Sequence, residues 1–193
     1  QQSNAPNIYN SLEYLKKITK IRLQLHFKSD DTAQETVNLP SPSLHNDDSP
    51  FYRFIQKSQL NFDEYIVLLL ALAPHLQPNL FSEAIYEFMP DGGDFPEFGG
   101  IKGVNFRGIL PTGETALFIL AGNNFQKRFE LLEIFSENHL FYKEGILSLS
   151  TVTLGEPAMS GQLILAREYI ELFTTGYEYR PKFSTEFPAK RIY

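Results

Sequence analysis

Two apolar helical patterns meet at a glycine and run into a pair of strand patterns. This order of elements limits what the chain can fold into more than any other feature. The stretch GILPTGETALFILAGNNFQKRFELLEIF covers residues 108–135, and GILSLSTVTLGEPAMSGQLILA covers 145–166. Pro111 introduces a helix, Thr112 is placed to cap it, and Gly122 can end it in the left-handed conformation. Between them Ala116, Leu117, Leu120 and Ala121 recur at helical spacing. Asn123 is expected to cap a second helix, on which Phe125, Phe129, Leu132, Ile134 and Phe135 form a broad apolar stripe packed against protein. Ile146, Leu147 and Leu149 then lead into a turn holding Gly155 and Pro157, and residues 162–165 return as the partner strand. Helix, turn, helix and hairpin is the order of a winged helix. So few elements bury little by themselves, and the rest of the chain has to pack around them.

Upstream, residues 8–27 predict a long helix with Leu12, Leu15, Ile18, Ile21 and Leu25 on one face and Lys16, Lys17 and Lys20 on the other. Its end, residues 21–27, also alternates apolar and polar as a strand would. Residues 28–48 are rich in Asp, Ser, Thr and Pro and predict a mobile surface loop that adds little to the core. Ser49 and Pro50 start a short helix through Gln56. Asn61 and Glu64 have the spacing of a capping box ahead of residues 65–73, which are apolar nearly all round and predict the most buried helix. Pro74 and Pro78 break the chain, and residues 80–88 give one more amphipathic helix. A final short helix over 168–173 is closed by Thr174, Thr175 and Gly176.

Residues 90–107, PDGGDFPEFGGIKGVNFR, hold five glycines, two prolines and three phenylalanines. They do not form a phosphate loop: G-x-x-x-x-G-K-[ST] is absent, and Asp91, Asp94 and Glu97 would repel phosphate. The acidic spacing does not match a calcium loop either. The segment reads as an irregular connector, with Phe95 and Phe98 as candidate partner contacts if they stand outward on the flexible backbone. Tyr177 and Tyr179 are the other two candidate contacts. They open an irregular segment from 177 to 193 in which Tyr177, Tyr179, Phe183 and Phe187 are spaced like the anchors of an extended strap. Pro181 and Pro188 disfavour a helix there.

Charge and composition narrow the chemistry. The net charge is −6 and the pI near 5.2, so general attraction to nucleic acid or anionic membrane is not expected. Over residues 112–166 only Lys127, Arg128 and Lys143 oppose Glu114, Glu130, Glu133, Glu137, Glu144 and Glu156, the wrong sign for a module that neutralises phosphates. Without cysteine the chain has no disulfide and no thiolate metal site, and it fits a reducing compartment. The first residues have no signal-peptide pattern. The longest apolar run, residues 66–73, falls far short of the roughly 20 a membrane span needs. A cytoplasmic protein is the expectation. His26, His45, His75 and His139 are scattered without a metal-ligand spacing, and neither G-x-S-x-G nor S-x-x-K occurs. No catalytic, cofactor or metal residue is assigned. The chain begins with Gln and ends at Tyr193 inside AKRIY, and is expected to be a fragment of something longer.

The segments RLQLHF at 22–27, LLLALAPHL at 68–76, GILPTGETALFILAG at 108–122, RFELLEIF at 128–135 and EYIELFTTGYEYRPKFSTEFPAKRI at 168–192 together resemble the region N-terminal to the ATPase core in a bacterial group of AAA+ ATPases. Relatives of that group occur in Bacteroidota, and some are encoded with phage-tail-like contractile injection systems. PTGETALF and TTGYEYRPKFS are the most specific parts, and the loops at 28–48 and 90–105 lie outside the likeness. The resemblance implies a hexameric parent whose nucleotide-binding core follows Tyr193. Neither Walker motif is present here, so ATP and Mg would belong to that core alone.

The expected architecture is mostly α with a small β-hairpin, an α+β fold in which a helical subdomain packs on a winged-helix-like one. Its divisions are residues 1–89 for the helical subdomain, 90–107 for the connector, 108–176 for the winged-helix-like part and 177–193 for the strap. The expected function is non-catalytic, the recruitment or positioning of a protein substrate or adaptor for the attached motor. A nucleic-acid-binding winged helix is the alternative if Lys16, Lys17, Lys20, Lys127 and Arg128 come together on one face. A stand-alone enzyme is the third reading, to be marked by a deep pocket with close carboxylates or a histidine pair.

Overall fold

Eight consecutive buried residues, from Tyr65 through Leu72, set the centre of the molecule. They belong to α3 (Phe62–Leu72), and a helix apolar on every side must be surrounded by other elements. In the computed structural model, which describes residues 3–28, 41–42 and 44–177, those elements are α1 (Ala5–Phe27), α5 (Gly113–Ala121) and the strand β2 (Leu163–Leu165). The start of α3 is fixed as its sequence predicts. The Glu64 N–H donates to Asn61 Oδ1 at 2.8 Å, and the Asn61 N–H donates to Glu64 Oε1 at 2.9 Å, a reciprocal cap worth about 1 kcal/mol.

The fold is mostly helical with one small antiparallel hairpin. Besides α1, α3 and α5 it contains α2 (Pro50–Ser58), α4 (Leu80–Tyr86), α6 (Phe125–Leu132), α7 (Leu140–Lys143) and α8 (Arg167–Phe173). β1 (Leu147–Leu149) pairs with β2 in the register Leu147 with Leu165, Ser148 with Ile164 and Leu149 with Leu163. The chain just before α5 extends this hairpin: the Leu163 N–H donates to the Pro111 carbonyl at 2.9 Å and the Gly113 N–H to the Gly161 carbonyl at 3.1 Å. The helix–turn–helix and hairpin are thus one unit. One apolar cluster runs through Leu12 and Leu15 of α1, Phe51 of α2, Leu68 of α3, Phe118 of α5, Leu163 of β2 and Phe173 of α8.

Buried polar side chains join the first helix to distant parts of the chain. Asn4, just ahead of α1, accepts the Phe51 N–H at 2.8 Å and donates to the Leu172 carbonyl at 2.7 Å, so it ties the starts of α1 and α2 to the end of α8. Asn7 exchanges two hydrogen bonds with the backbone of His45. Leu44 packs on the core, so the described part of the 28–48 segment contributes more than the loop reading expected. Residues 29–40 and 43 of that segment lie outside the described residues, as does the strap beyond Tyr177. The strand alternative for residues 21–27 does not hold. Helix α1 continues to Phe27 because Leu23 is buried, Arg22 donates from Nε to the Ile119 carbonyl at 2.9 Å, and His26 and Phe27 enter an aromatic cluster with Phe95.

Several details of the second half differ from expectation. Asn124, not Asn123, caps α6, its Oδ1 accepting the Lys127 N–H at 3.0 Å. Gly122 takes φ +56° and uses the position after the last helical residue, which leaves Asn124 at the next helix start. Helix α7, absent from the sequence reading, is four residues long and capped by His139. A turn in the connector, with the Phe98 N–H on the Phe95 carbonyl and the Gly99 N–H on the Pro96 carbonyl, carries both phenylalanines inward.

Candidate functional site

The residues that hold α6 in place also decide which of its side chains face outward. Leu131 and, just beyond the helix, Ile134 are buried. Lys127 Nζ reaches Asp63 Oδ2 at 2.6 Å, and Arg128 Nη2 reaches Glu114 Oε1 at 2.5 Å. Asp63 sits in the first turn of α3 and Glu114 in the first turn of α5, where the helix dipoles favour acids. Partly exposed pairs of this kind contribute about 0–1 kcal/mol each. Their effect is orientation, since they pin one side of α6 against two helix starts.

The opposite side carries the stripe. Phe125 is 73% exposed, Phe129 65% and Leu132 41%. They fall at i, i+4 and i+7 and therefore share one face. The expectation that the stripe packs against protein holds for Ile134 and Phe135 and is corrected for Phe125, Phe129 and Leu132: the core-facing series is Lys127, Leu131 and Ile134, also at i, i+4 and i+7. Both series are legible in the sequence. The second, with a lysine in its first place, looks the weaker, and the lysine's partner on α3 cannot be seen from local sequence.

The expected contact residues divide differently. Phe98 is fully buried, its ring against Phe81, Phe95 and Phe118, and Phe95 is half-buried among Phe98, Phe118, Phe27 and His26. Neither is displayed as a free anchor, because the turn through 95–98 folds them onto α5. Tyr177 is 72% exposed. Tyr179 lies outside the described residues. Four of the five cations considered for a basic face each meet a carboxylate, Lys16 with Glu13, Lys20 with Glu87, Lys127 with Asp63 and Arg128 with Glu114. A phosphate at any of them would have to compete with that partner.

His139, Tyr65 and Arg22 each have a structural partner in the interior. His139 Nε2 lies 2.5 Å from Glu64 Oε2, while its Nδ1 accepts the Phe141 N–H at 3.0 Å. Both ring nitrogens are therefore engaged. An imidazole so held caps α7 and bridges it to α3; it has no nitrogen left for a substrate. Tyr65 donates to Ser11 Oγ at 2.6 Å, and burial pushes its hydroxyl up to about 12. Burial lowers the Arg22 guanidinium, which sits against the end of α5. Among the described residues no group of three or more His, Asp or Glu side chains is placed to hold a metal ion. No single helix among them is long and apolar enough to cross a membrane.

Compared with known proteins, the chain matches no family model, no curated protein and no solved structure.

Proposed function

We propose that the chain is a non-catalytic protein-recognition domain, working in the cytoplasm, that recruits or positions a protein substrate or adaptor for an AAA+ ATPase core joined to it. The observation that carries the recognition part is the outward stripe of Phe125, Phe129 and Leu132 on a helix pinned from behind by Leu131 and two ion pairs. Large apolar side chains held rigidly in water are the usual anchors of protein interfaces, because little order has to be imposed on them when a partner arrives. The motor part is supported by the likeness of residues 108–122, 128–135 and 168–192 to the region ahead of an AAA+ core. The hexamer, ATP and Mg belong to that core.

The test is to compare ATP hydrolysis by this chain with that of the product read through the coding sequence beyond Tyr193. Hydrolysis by the longer product alone, with ATP-dependent assembly, is the expected result. Hydrolysis by the 193-residue chain overturns the non-catalytic reading, and a continuation without Walker motifs overturns the motor.

A further inference from the structure

One edge of the α6 face carries carboxylates, while Arg128 on the other edge is held by Glu114, and the acidic edge specifies what covers the face. Gln126, Glu130 and Glu133 are exposed along one side of the stripe, and Glu137 follows. Among the described residues Glu130 accepts from Gln126 alone, at 3.4 Å. Glu133 and Glu137 meet no cation among the described residues. The two cations of the helix are turned away from this edge and bound, Lys127 to Asp63 and Arg128 to Glu114. The result is an apolar strip of two phenylalanines and a leucine beside a row of carboxylates that meet no cation among the described residues.

We propose that this face is the docking site for an amphipathic helix of a partner protein, one whose apolar side is bordered by lysine or arginine. The proposal rests on the recognition reading above and adds the chemistry of the partner. The apolar strip is one helix wide, and short helices present apolar residues at the matching i, i+3, i+4 and i+7 positions. The carboxylate edge chooses the partner's border: basic residues would gain Glu130 and Glu133 as partners, whereas acidic ones would be repelled. The same edge disfavours two other occupants. Two copies of α6 related by an antiparallel two-fold would set their glutamate edges against each other, and an anionic lipid surface would meet like charge.

The probe is a fluorescein-labelled synthetic helix of about 14 residues, roughly four turns, with leucine at the apolar positions and lysine along the borders. A matched peptide carries glutamate in place of lysine. Both are titrated by anisotropy against the full 193-residue chain. The lysine peptide is expected to bind and the glutamate peptide to bind at least about tenfold more weakly. Phe129→Ser should weaken the lysine peptide by about tenfold or more. The double change Glu130→Gln with Glu133→Gln should weaken it several-fold and flatten its salt dependence. Tyr86→Ser, on the exposed side of α4, should leave it unchanged, and circular dichroism of each variant verifies folding.

Equal binding of the two peptides, lost with Phe129→Ser, overturns the basic border and leaves the recognition reading standing. A dimer in solution that Phe129→Ser makes monomeric, or vesicle binding lost with the same change, also overturns the proposal, assigning the face to a second copy or to lipid. Absence of any Phe129-dependent binding at peptide concentrations up to about 1 mM removes both the proposal and the role of α6 in recognition.

Discussion

At the scale of single residues, neighbours on one short helix have opposite duties. Phe129 and Leu131 are two positions apart, yet the first is mostly in water and the second is 2% exposed. Replacing Phe129 with serine should change unfolding free energy by less than about 0.5 kcal/mol, as for other surface changes. Leu131→Ala should cost about 2–5 kcal/mol, because a buried leucine leaves both lost transfer energy and a cavity. Urea denaturation of the two variants distinguishes them directly, and a larger loss for Phe129→Ser than for Leu131→Ala would mean that α6 is turned the other way. Tyr65 gives a second residue-scale prediction. Its hydroxyl is raised from about 10 in the unfolded chain to about 12 in the fold. The unfolded state therefore loses this proton first, so the contribution is fully present below pH 10 and is lost as pH rises from about 10 through about 12. Stability should fall more steeply over that window in the parent chain than in Tyr65→Phe, although the variant starts lower by about 1 kcal/mol for the lost hydrogen bond to Ser11. Parallel slopes would show that Tyr65 ionises as it does in water.

At the scale of elements, what was legible in the sequence is what local chemistry decides. Ser49, Asn61 and Thr112 each cap the helix expected of them, because a capping side chain needs only its own next three residues. The hairpin was legible from its two short apolar runs and the turn residues between them. Helix α7 was not, since four residues make one turn and leave no period to read; it exists because the His139 side chain takes up the Phe141 N–H and because Phe141 is buried. The burial of Phe98 was not legible either, as it depends on α4 and α5 meeting the connector from both sides. The outward face of α6 failed for the same kind of reason. Periodicity shows that two stripes exist, and distant partners select between them: the core that buries Leu131 and Ile134, with Asp63 and Glu114 holding Lys127 and Arg128. Gly122 shows the two levels together. Its left-handed φ of +56° was readable as a helix stop, but an added Cβ would also lie 2.7 Å from Arg22 Nη1, a contact with a residue one hundred positions earlier in sequence. Gly122→Ala should cost more than about 1 kcal/mol from backbone strain alone, with a further loss as Arg22 is pushed from the Ile119 carbonyl. Arg22→Met at the same site should recover part of that further loss; a simple sum of the two single effects would show that the glycine is needed for its backbone only.

At the scale of the whole molecule, the helix–turn–helix and hairpin depend on a helix that precedes them by some forty residues. Helix α3 packs against both α5 and β2, and its eight-residue buried run faces the same apolar cluster as Leu117, Phe118, Leu163 and Leu165. Removing α3 would expose these side chains, each worth about 1.5–3 kcal/mol of burial, in a fragment whose only sheet is two strands of three residues. A two-stranded hairpin is marginal in water at best, and helices of eight or nine residues are too short to persist alone. A fragment spanning residues 108–177 should therefore be largely unfolded, while the intact chain unfolds in one transition seen alike by far- and near-ultraviolet circular dichroism. If instead the fragment showed dispersed amide signals and a cooperative melt, the hairpin and α6 would form an autonomous unit, and α3 would be only a neighbour. The outcome also bears on recognition. A partner docking on α6 would stabilise, through Lys127–Asp63 and Leu131, the same core that α1 and α3 build, so bound peptide should slow amide exchange in α3 as well as in α6.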